Sequence, residues 1–199
     1  MANTNSFWVL YGQHTQPTYI EDAGGGQQEQ RNSALNYVNK WRVCLDIGSN
    51  IGQWTRPLSK KFESVVCFEP NPNFRECFEK NITEANVLLW PYGLSDKEHK
   101  AKQDFNSTQL QNEDGNIDCR TLDSFGLVNV DFVKIDVDGF EVPLLNGAKE
   151  TLTRNNPVIN IEMKRNKRSN VVSKCESILK ALGYKFEKRT KSDEVWLKS

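Results

Sequence analysis

Short apolar runs alternate with longer amphipathic stretches over most of the chain, beginning near residue 42. The apolar runs predict strands at 42–47, 64–69, 87–90, 132–136 and 158–162. The stretches between them predict helices at 51–62, 73–80, 142–154 and 171–182. Pro72 and Gly183 stand at positions typical of a helix start and a helix end. Strands that alternate with helices form a mainly parallel sheet covered by helices on both faces.

The chain ends in two further strand-like runs. Residues 184–188 and 194–197 are separated by a short polar segment, which predicts an antiparallel hairpin. Between the third and fourth strands, residues 96–118 are polar and irregular and predict no more than a short hairpin. The predicted fold class is therefore α/β, a Rossmann-like, mainly parallel sheet with helices on both faces and a C-terminal antiparallel hairpin.

Residues 1–41 precede the alternating pattern and are harder to interpret. They contain an apolar cluster at 7–11, glycines at 24–26 and a stretch at 28–40 that is compatible with a helix. Two interpretations stay open for this segment: a layer that covers the sheet, or a lid hinged at the glycines that closes over a substrate. Residues 42–199 form the predicted main domain.

The charge balance is neutral, because 26 Lys and Arg residues face 26 Asp and Glu residues. No global field recruits nucleic acid or an anionic membrane, so neither partner is expected. No apolar run is long enough to span a bilayer, and the N-terminus does not resemble a signal peptide. The five cysteines are widely spaced and form no C-x-x-C pair, which predicts buried free thiols in a reducing, cytoplasmic compartment.

The segment from Asp46 to Gly52 leaves an apolar strand and opens a predicted helix. This is the context in which a glycine motif binds a nucleotide. Gly48 permits the tight turn, and Gly52 permits a close approach of helix and ligand. Glu69 ends the second strand, at the spacing expected of an acid that binds ribose hydroxyls. These residues predict a nucleotide crevice at the carboxyl ends of the first two strands.

The acidic edge of this crevice indicates which nucleotide it takes. A dinucleotide places its pyrophosphate at the helix N-terminus, where Asp46 would repel the dianion. S-adenosylmethionine carries no phosphate, and an acidic strand end suits its sulfonium and ammonium groups. Asn50 also stands where the dinucleotide motif has its second glycine. S-adenosylmethionine is therefore the predicted cofactor, with S-adenosylhomocysteine as its product.

Four carboxylates are expected to converge at the ends of the fourth and fifth strands: Asp136, Asp138, Glu141 and Glu162. Mutual repulsion raises the pKa of such carboxyl groups, which makes one of them a plausible general base. Asp136 is the first candidate and Glu162 the second, whereas Asp138 in a turn and Glu141 at a helix start have structural alternatives. Mg²⁺ prefers ligands of this type, but their spacing fixes no geometry, so no metal ligand is assigned.

A series of segments, in order, resembles the FkbM family of S-adenosylmethionine-dependent methyltransferases. They are residues 45–52, 68–72, 93–96, 121–125, 133–141, 145–148 and 159–162, and they cover about residues 42–163. The resemblance implies a class I methyltransferase fold and methyl transfer to oxygen, as in the best-known members. Many relatives act on hydroxyls of sugars or secondary metabolites.

The resemblance also implies which residues surround the methionine part, the ribose and the adenine of the cofactor. Together with the glycine loop they are Asp46, Gly48, Ser49, Asn50, Gly52, Glu69, Pro70, Asn71, Tyr92, Gly93 and Leu94. Asp136 would sit at the junction between cofactor and acceptor. Asp138 departs from the family, since relatives usually have Glu there, and its shorter arm puts a direct role in doubt.

The predicted function is S-adenosylmethionine-dependent O-methylation of a hydroxyl on a sugar, a glycan or a small metabolite. An NAD-dependent oxidoreductase and a non-catalytic S-adenosylmethionine-binding module are the alternatives. The basic run at 164–168 is either a solvated loop or a contact for an anionic acceptor. The aromatic N-terminus and the two terminal strands are candidate surfaces for a homodimer.

Overall fold

A seven-stranded sheet forms the centre of the computed structural model, which describes residues 6–11, 14–19, 27–103, 109–111, 115–165 and 169–198. In chain order the strands and helices are β1 (Ser6–Tyr11), β2 (His14–Tyr19), α1 (Gln28–Leu35), β3 (Val43–Ile47), α2 (Thr55–Ser59), β4 (Ser64–Phe68), α3 (Pro72–Asn81), β5 (Val87–Trp90), β6 (Gly93–Leu94), β7 (His99–Ala101), β8 (Ile117–Arg120), β9 (Val130–Ile135), α4 (Glu141–Asn146), α5 (Lys149–Asn155), β10 (Val158–Glu162), α6 (Ser169–Ala181), β11 (Tyr184–Thr190) and β12 (Asp193–Lys198). A short 3₁₀ helix, Leu122–Phe125, precedes β9.

The strand order across the central sheet is β11-β12-β10-β9-β3-β4-β5. The strands from β10 to β5 are parallel to their neighbours, and β12 is antiparallel to both β10 and β11. The predicted α/β class, parallel sheet and terminal hairpin are confirmed. The hairpin pattern alone did not indicate that the last strand inserts between β10 and β11, a placement that buries Trp196 opposite Ile159.

The central strands are buried on both faces, as expected of parallel strands beneath two helical layers. On β3, Leu45 and Ile47 pack into the core that α4, α5 and α6 cover, whereas Cys44 packs with Trp54 and Leu58 on the opposite face. This alternation follows from the two-residue period of a strand. Because β3 is parallel to both β4 and β9, the carboxyl ends of these three strands lie along one edge of the sheet, where ligands bind in such sheets.

Two predicted helices differ from the structure. The stretch 51–62 contains only the short helix α2, because Asn50 and Gly52 have positive φ values of 50° and 90° and delay the helix. The stretch 142–154 divides into α4 and α5 around Gly147. A Cβ atom at Gly147 would lie 2.0 Å from the carbonyl oxygen of Ser95, so the chain breaks where two backbones touch.

The polar excursion between the third and fourth central strands contains a small second sheet. Strands β7 and β8 form the predicted short hairpin, and β6 pairs with β8 in parallel. Ile117 and Cys119 are buried beneath it with Ala101. This sheet brings β6 against the edge of the strand-end crevice.

The N-terminal hairpin of β1 and β2 packs on helix α3. Phe7 is fully buried against Ile51 and Phe74. The side-chain amide of Asn81 donates to the carbonyl oxygens of Trp8 (3.0 Å) and Ile51 (2.8 Å) and accepts from the Trp8 amide (2.6 Å). These contacts join β1 to the glycine loop; the glycines at 24–26 lie outside the described residues.

All five cysteines are free and buried, as predicted. Burial raises the pKa of the Cys44 and Cys67 thiols well above their ordinary value. Buried thiols of this kind behave as small apolar side chains. Within the described ranges, each helix is too short or too polar to traverse a lipid bilayer.

Candidate functional site

A cavity opens at the carboxyl ends of β3, β4 and β9. Polar and apolar side chains share its wall, which is typical of a ligand pocket. It is lined by Ile47, Gly48, Asn50, Phe68, Glu69, Pro70, Tyr92, Gly93, Leu94, Gln103, Leu110, Asp136, Val137, Asp138 and Phe140. The predicted nucleotide crevice is therefore a real cavity at the predicted edge of the sheet.

The glycine turn forms one wall of this cavity and touches the end of β9. Gly48 has a φ of 76°, and a Cβ atom there would lie 1.9 Å from the carbonyl oxygen of Asp136. No other residue fits that position without moving the backbone. Asn50 also lies in the left-handed region, where asparagine is tolerated better than most residues. At Gly48 the loop thus presents its backbone to the cavity with no side chain between them.

Glu69 is held at the cavity by the backbone on both sides. One carboxylate oxygen accepts a hydrogen bond from the Asn50 amide and the other from the Asn71 amide, each at 2.9 Å. Burial raises the pKa of Glu69 to about 7, although these two amides and the cation of Lys134 pull it down. Asn71 also caps α3 by accepting from the Asn73 amide. Glu69 is thereby fixed with its remaining lone pairs free of the protein backbone.

Beneath the glycine turn lies an inner cluster, which consists of Lys134, Asp46 and Asp136. The Lys134 ammonium donates to the Gly48 carbonyl oxygen at 2.8 Å. It lies 3.3 Å from a carboxylate oxygen of Asp46 and 3.8 Å from one of Asp136. Burial alone would lower the pKa of Lys134, but the two carboxylates outweigh it and raise that pKa. Lys134 is therefore a permanent buried cation.

An outer cluster, which consists of Lys164, Asp138 and Glu162, lies at the ends of β9 and β10. The Lys164 ammonium contacts the Asp138 carboxylate and lies 2.9 Å from an oxygen of Glu162. Burial opposes the charge of Lys164, but hydrogen bonds to both carboxylates raise its pKa. Lys164 is therefore an unsuitable base and a suitable partner for anions.

Carboxylate oxygens of Asp136, Asp138 and Glu162 all lie within 4.8 Å of one another. Burial, followed by the nearby charge of Asp136, raises the pKa of Glu162 to about 7, against the opposing pull of Lys164. The expected convergence of these three carboxylates is present. Hard oxygen ligands can hold Mg²⁺, but the Lys164 ammonium already contacts two members of the group.

A second, more open cavity adjoins the outer cluster. Its wall consists of Glu162, Met163, Lys164, Arg165, Arg189, Lys191 and Ser192. Arg165 and Arg189 share one oxygen of the buried Glu194. The Ser192 hydroxyl lies 3.3 Å from a Glu162 carboxylate oxygen. Glu162 thus faces a cavity rich in cationic side chains.

The structure separates the predicted site residues into two groups. Gly48, Asn50, Glu69, Pro70, Tyr92, Gly93, Leu94, Asp136 and Asp138 line the first cavity. The others support that wall from behind or lie beside it. Asp46 is fully buried and accepts from the Thr55 hydroxyl at 2.6 Å, and Gly52 packs against Ile82.

The remaining predicted residues lie outside the first cavity's lining. Ser49 is buried, and Asn71 holds Glu69 through its backbone amide. Glu141 begins α4 and accepts a hydrogen bond from the Gly139 amide at 2.9 Å. This is the structural alternative that the sequence left open for it. Glu162 faces the second cavity.

Several site residues were not predicted. Lys134 stands in an apolar strand, and one charged residue at a buried strand position is a signal that sequence reasoning could have used. Gln103 and Leu110 reach the first cavity from the polar excursion, where the sequence offers no motif. Ser192 joins the site only because the β11–β12 turn folds beside the end of β10.

Comparison with known proteins identifies related sequences and folds. The family described as "Methyltransferase FkbM domain" matches residues 46–186. Hexuronic acid methyltransferase AglP of Haloferax volcanii is 29% identical in an alignment of 147 residues that covers 67% of this chain and 61% of that protein. The chain therefore spans about three fifths of the length of this curated relative.

Solved structures share the fold at low sequence identity. The methyltransferase FkbM from Methylobacillus flagellatus superposes with a TM-score of 0.58 at 15% identity, over 89% of this chain and 55% of that chain. An rRNA methylase from Streptococcus thermophilus gives a TM-score of 0.55 at 10% identity, over 86% of this chain and 94% of that chain. These likenesses establish the fold of class I methyltransferases and leave the acceptor undefined.

Proposed function

The chain belongs to the FkbM methyltransferase family, and we propose that it methylates a hydroxyl oxygen of an acidic sugar with S-adenosylmethionine as donor. One observation carries the proposal. Asp136 lines the first cavity, behind the glycine turn and Glu69, and one of its carboxylate oxygens lies within 4.8 Å of one of Glu162, which lines the second cavity among cationic side chains. A donor pocket and an acceptor pocket would then share one junction.

The residues of the first cavity suit S-adenosylmethionine. The Glu69 carboxylate, fixed by two backbone amides, can accept from both ribose hydroxyls. Tyr92, Gly93 and Leu94 offer a partly apolar wall to the adenine. Asp136 lies beside the turn of Gly48 and supplies negative charge near the cationic end of the donor. When bound, the cofactor supplies an electrophilic methyl carbon.

Asp46 acts on this pocket only indirectly, through Lys134 and Thr55. The prediction that its charge meets the cofactor directly therefore changes into a supporting role. The acidic edge of the pocket is formed by Glu69 and Asp136 instead, and this edge still disfavours a pyrophosphate.

We assign the general base to Glu162, with Asp136 as the group that orients the acceptor hydroxyl. A carboxyl group whose pKa is about 7 is well matched to proton transfer near neutral pH. The Glu162 carboxylate would accept the proton of the acceptor hydroxyl, and the bound cofactor would supply the methyl group. The sequence analysis ranks Asp136 first; we propose the reverse order, because Glu162 lines the second cavity.

The acceptor is proposed to bind in the second cavity through an anionic group. Lys164, Arg165 and Lys191 line it, and a carboxylate is a natural partner for such side chains. The relative from Haloferax volcanii is named for hexuronic acid methylation, which supports a uronic acid as the acceptor. Arg165 belongs to the basic run at 164–168; residues 166–168 lie outside the described ranges.

A matched pair of acceptors tests this function. Methyl glucuronoside and methyl glucoside differ at one carbon, a carboxylate against a hydroxymethyl group. We expect label transfer from methyl-labelled S-adenosylmethionine to the glucuronoside with at least a tenfold higher kcat/KM. Lys191→Glu should raise the KM for the glucuronoside several-fold and leave the affinity for S-adenosylhomocysteine unchanged. Equal turnover of both sugars would contradict an anionic acceptor. Thermal stabilisation of the protein by NAD but not by S-adenosylhomocysteine would contradict S-adenosylmethionine as the donor.

The other predictions keep their original form as proposals. Residues 1–41 are proposed to cover the domain 42–199 rather than to act as a lid, since Phe7 and the Trp8–Asn81 hydrogen bonds hold β1 on α3.

Buried free thiols support a reducing, cytoplasmic compartment. Because rRNA methylases share this fold, the expected absence of a nucleic-acid partner rests on the balanced charge alone. A homodimer through the terminal strands stays a prediction.

A further inference from the structure

Lys134 is a buried lysine to which the proposed chemistry gives no direct role. Its side chain is 5% exposed and projects from β9 one residue before the strand ends. It pairs in register with Asp46 on β3 and with Asn160 on β10. Taking an ammonium out of water is expensive, and apolar residues of similar size often replace buried ion pairs without loss of stability. A purely structural role therefore explains this residue poorly.

The contacts of Lys134 join the two halves of the site. On the donor side its ammonium donates to the Gly48 carbonyl oxygen at 2.8 Å. On the acceptor side it lies 3.8 Å from a carboxylate oxygen of Asp136. The backbones of these two residues already touch, since a Cβ atom on Gly48 would lie 1.9 Å from the Asp136 carbonyl oxygen. Lys134 adds a side-chain link to that backbone contact.

We infer that Lys134 is a positioning residue for methyl transfer, which fixes the Gly48 turn and the Asp136 carboxylate relative to each other. This inference rests on the proposed function. In-line transfer requires the acceptor oxygen and the methyl carbon to be aligned, and small misplacements cost large factors in rate. A cation that contacts both the cofactor loop and the acceptor-side carboxylate maintains this alignment without touching substrate.

Asp46 completes the arrangement as the counter-ion of Lys134. It is fully buried, 3.3 Å from the ammonium, and its second oxygen accepts from the Thr55 hydroxyl at 2.6 Å. Removal of Lys134 alone would leave this carboxylate buried without a cation, which destabilises a protein strongly. A test of positioning must therefore remove the charge of Asp46 as well.

The experiment compares four proteins that all carry Asp46→Asn. One has no further change, one adds Lys134→Met, one adds Asp136→Asn, and one adds both. Calorimetry measures the Kd for S-adenosylhomocysteine, and methyl glucuronoside serves as the acceptor for kcat. Thermal unfolding of each protein verifies the fold, and Lys61→Met in the same background controls for loss of a lysine elsewhere.

Two results are expected. Lys134→Met raises the Kd for S-adenosylhomocysteine about tenfold in both backgrounds, because a charge-assisted hydrogen bond to the Gly48 turn is lost. It lowers kcat at least tenfold when Asp136 is present but less than twofold after Asp136→Asn, because residues that act through one another are non-additive. A merely structural lysine would lower kcat by the same factor in both backgrounds.

Each half of the inference has its own contrary outcome. A Kd that stays within twofold in all four proteins would contradict the proposed effect of Lys134 on the Gly48 turn. If Lys134→Met lowered kcat by the same factor with and without Asp136→Asn, the proposed effect of Lys134 on Asp136 would be wrong. The binding measurement needs no acceptor, so it decides the donor side even where turnover is undetectable. If the unmodified protein itself fails to bind S-adenosylhomocysteine, the proposed function fails instead.

Discussion

The inner and outer clusters combine the same residue types, one lysine and two carboxylates, in different surroundings. Lys134 is 5% exposed, and its partner Asp46 is completely buried; Lys164 is 30% exposed, and Asp138 and Glu162 are partly open to the cavities. The inner lysine projects from a strand in the middle of the sheet, whereas the outer one follows the end of β10. Asp136 belongs to the inner cluster and also lies close to both carboxylates of the outer cluster.

This contrast shows how one edge of the sheet can be rigid and adaptable at once. A buried cation keeps its partners because separating them in a medium of low dielectric costs several kcal/mol. A partly exposed pair is screened by water and stabilises the fold by roughly 1 kcal/mol or less. Under the proposed function, the inner cluster fixes the Gly48 turn, and an anionic acceptor replaces the carboxylates that contact Lys164.

The largest expected effect comes from the residue that connects the clusters. Asp136→Ala should lower kcat by about 10² to 10⁴, the range for a group that orients or transfers a proton in the transition state. Its carboxylate is partly exposed, so the melting temperature should change little. Steady-state kinetics with methyl glucuronoside measure the loss, and Asp118→Ala, at an exposed surface pair, is the control. Near-normal turnover would exclude Asp136 from the mechanism.

Removal of the lysine should lower the free energy of unfolding far more in the inner cluster than in the outer cluster. Lys134→Met leaves Asp46 buried without its cation and should reduce the free energy of unfolding by about 3–5 kcal/mol. Lys164→Met should reduce it by less than about 1 kcal/mol. Urea denaturation at pH 7.5 measures both values under one buffer condition. Equal losses for the two variants would contradict the distinction between them.

The pH dependence of turnover should report the outer cluster. Because Glu162 has a pKa of about 7 and accepts the proton only when ionised, kcat should fall about tenfold between pH 8 and pH 6. Glu162→Gln should be slow and lack this acidic limb. Lys164→Met should move the limb to higher pH, since Lys164 holds the pKa of Glu162 down. A limb that persists in Glu162→Gln would assign the base elsewhere.

The smallest expected effect concerns Glu69 and cofactor binding. Its raised folded-state pKa of about 7 means that its contribution to stability is present below the unfolded-state pKa and is lost as pH rises through 7. The ionised form is the one that accepts both ribose hydroxyls. S-adenosylhomocysteine should therefore raise the melting temperature by a few degrees more at pH 8 than at pH 6. Thermal denaturation at matched ligand concentration measures the difference; an equal rise would mean that Glu69 does not hold the ribose.

Local patterns were enough to predict the seven strands of the central sheet, the glycine turn and the position of Glu69. Each follows from a short stretch of chain: an apolar run, a glycine directly after a strand, or an acid at a strand end. The break at Gly147 could not be predicted, because its cause is the Ser95 carbonyl oxygen on a distant segment. Long-range contacts decide such positions, and they leave no periodicity in the sequence.

The site shows the same division. Sequence spacing placed Asp46 beside the ligand because it precedes the glycine turn, but the strand register turns its side chain toward Lys134 and Thr55. The surroundings of Glu162 in the second cavity depend on β11 and the β11–β12 turn, which place Arg189 and Ser192 beside it. The proposal of Glu162 as the base therefore rests on the packing of elements far apart in the chain.

The three hydrogen bonds of Asn81 also bear on how this protein can be handled at the bench. Because one amide side chain contacts both Trp8 on β1 and Ile51 on the glycine loop, a shortened version starting near residue 27 would expose a polar group and an apolar patch together. We expect protein that retains the first hairpin to aggregate less on expression than protein that lacks it, and a fusion tag is best placed at the C-terminus.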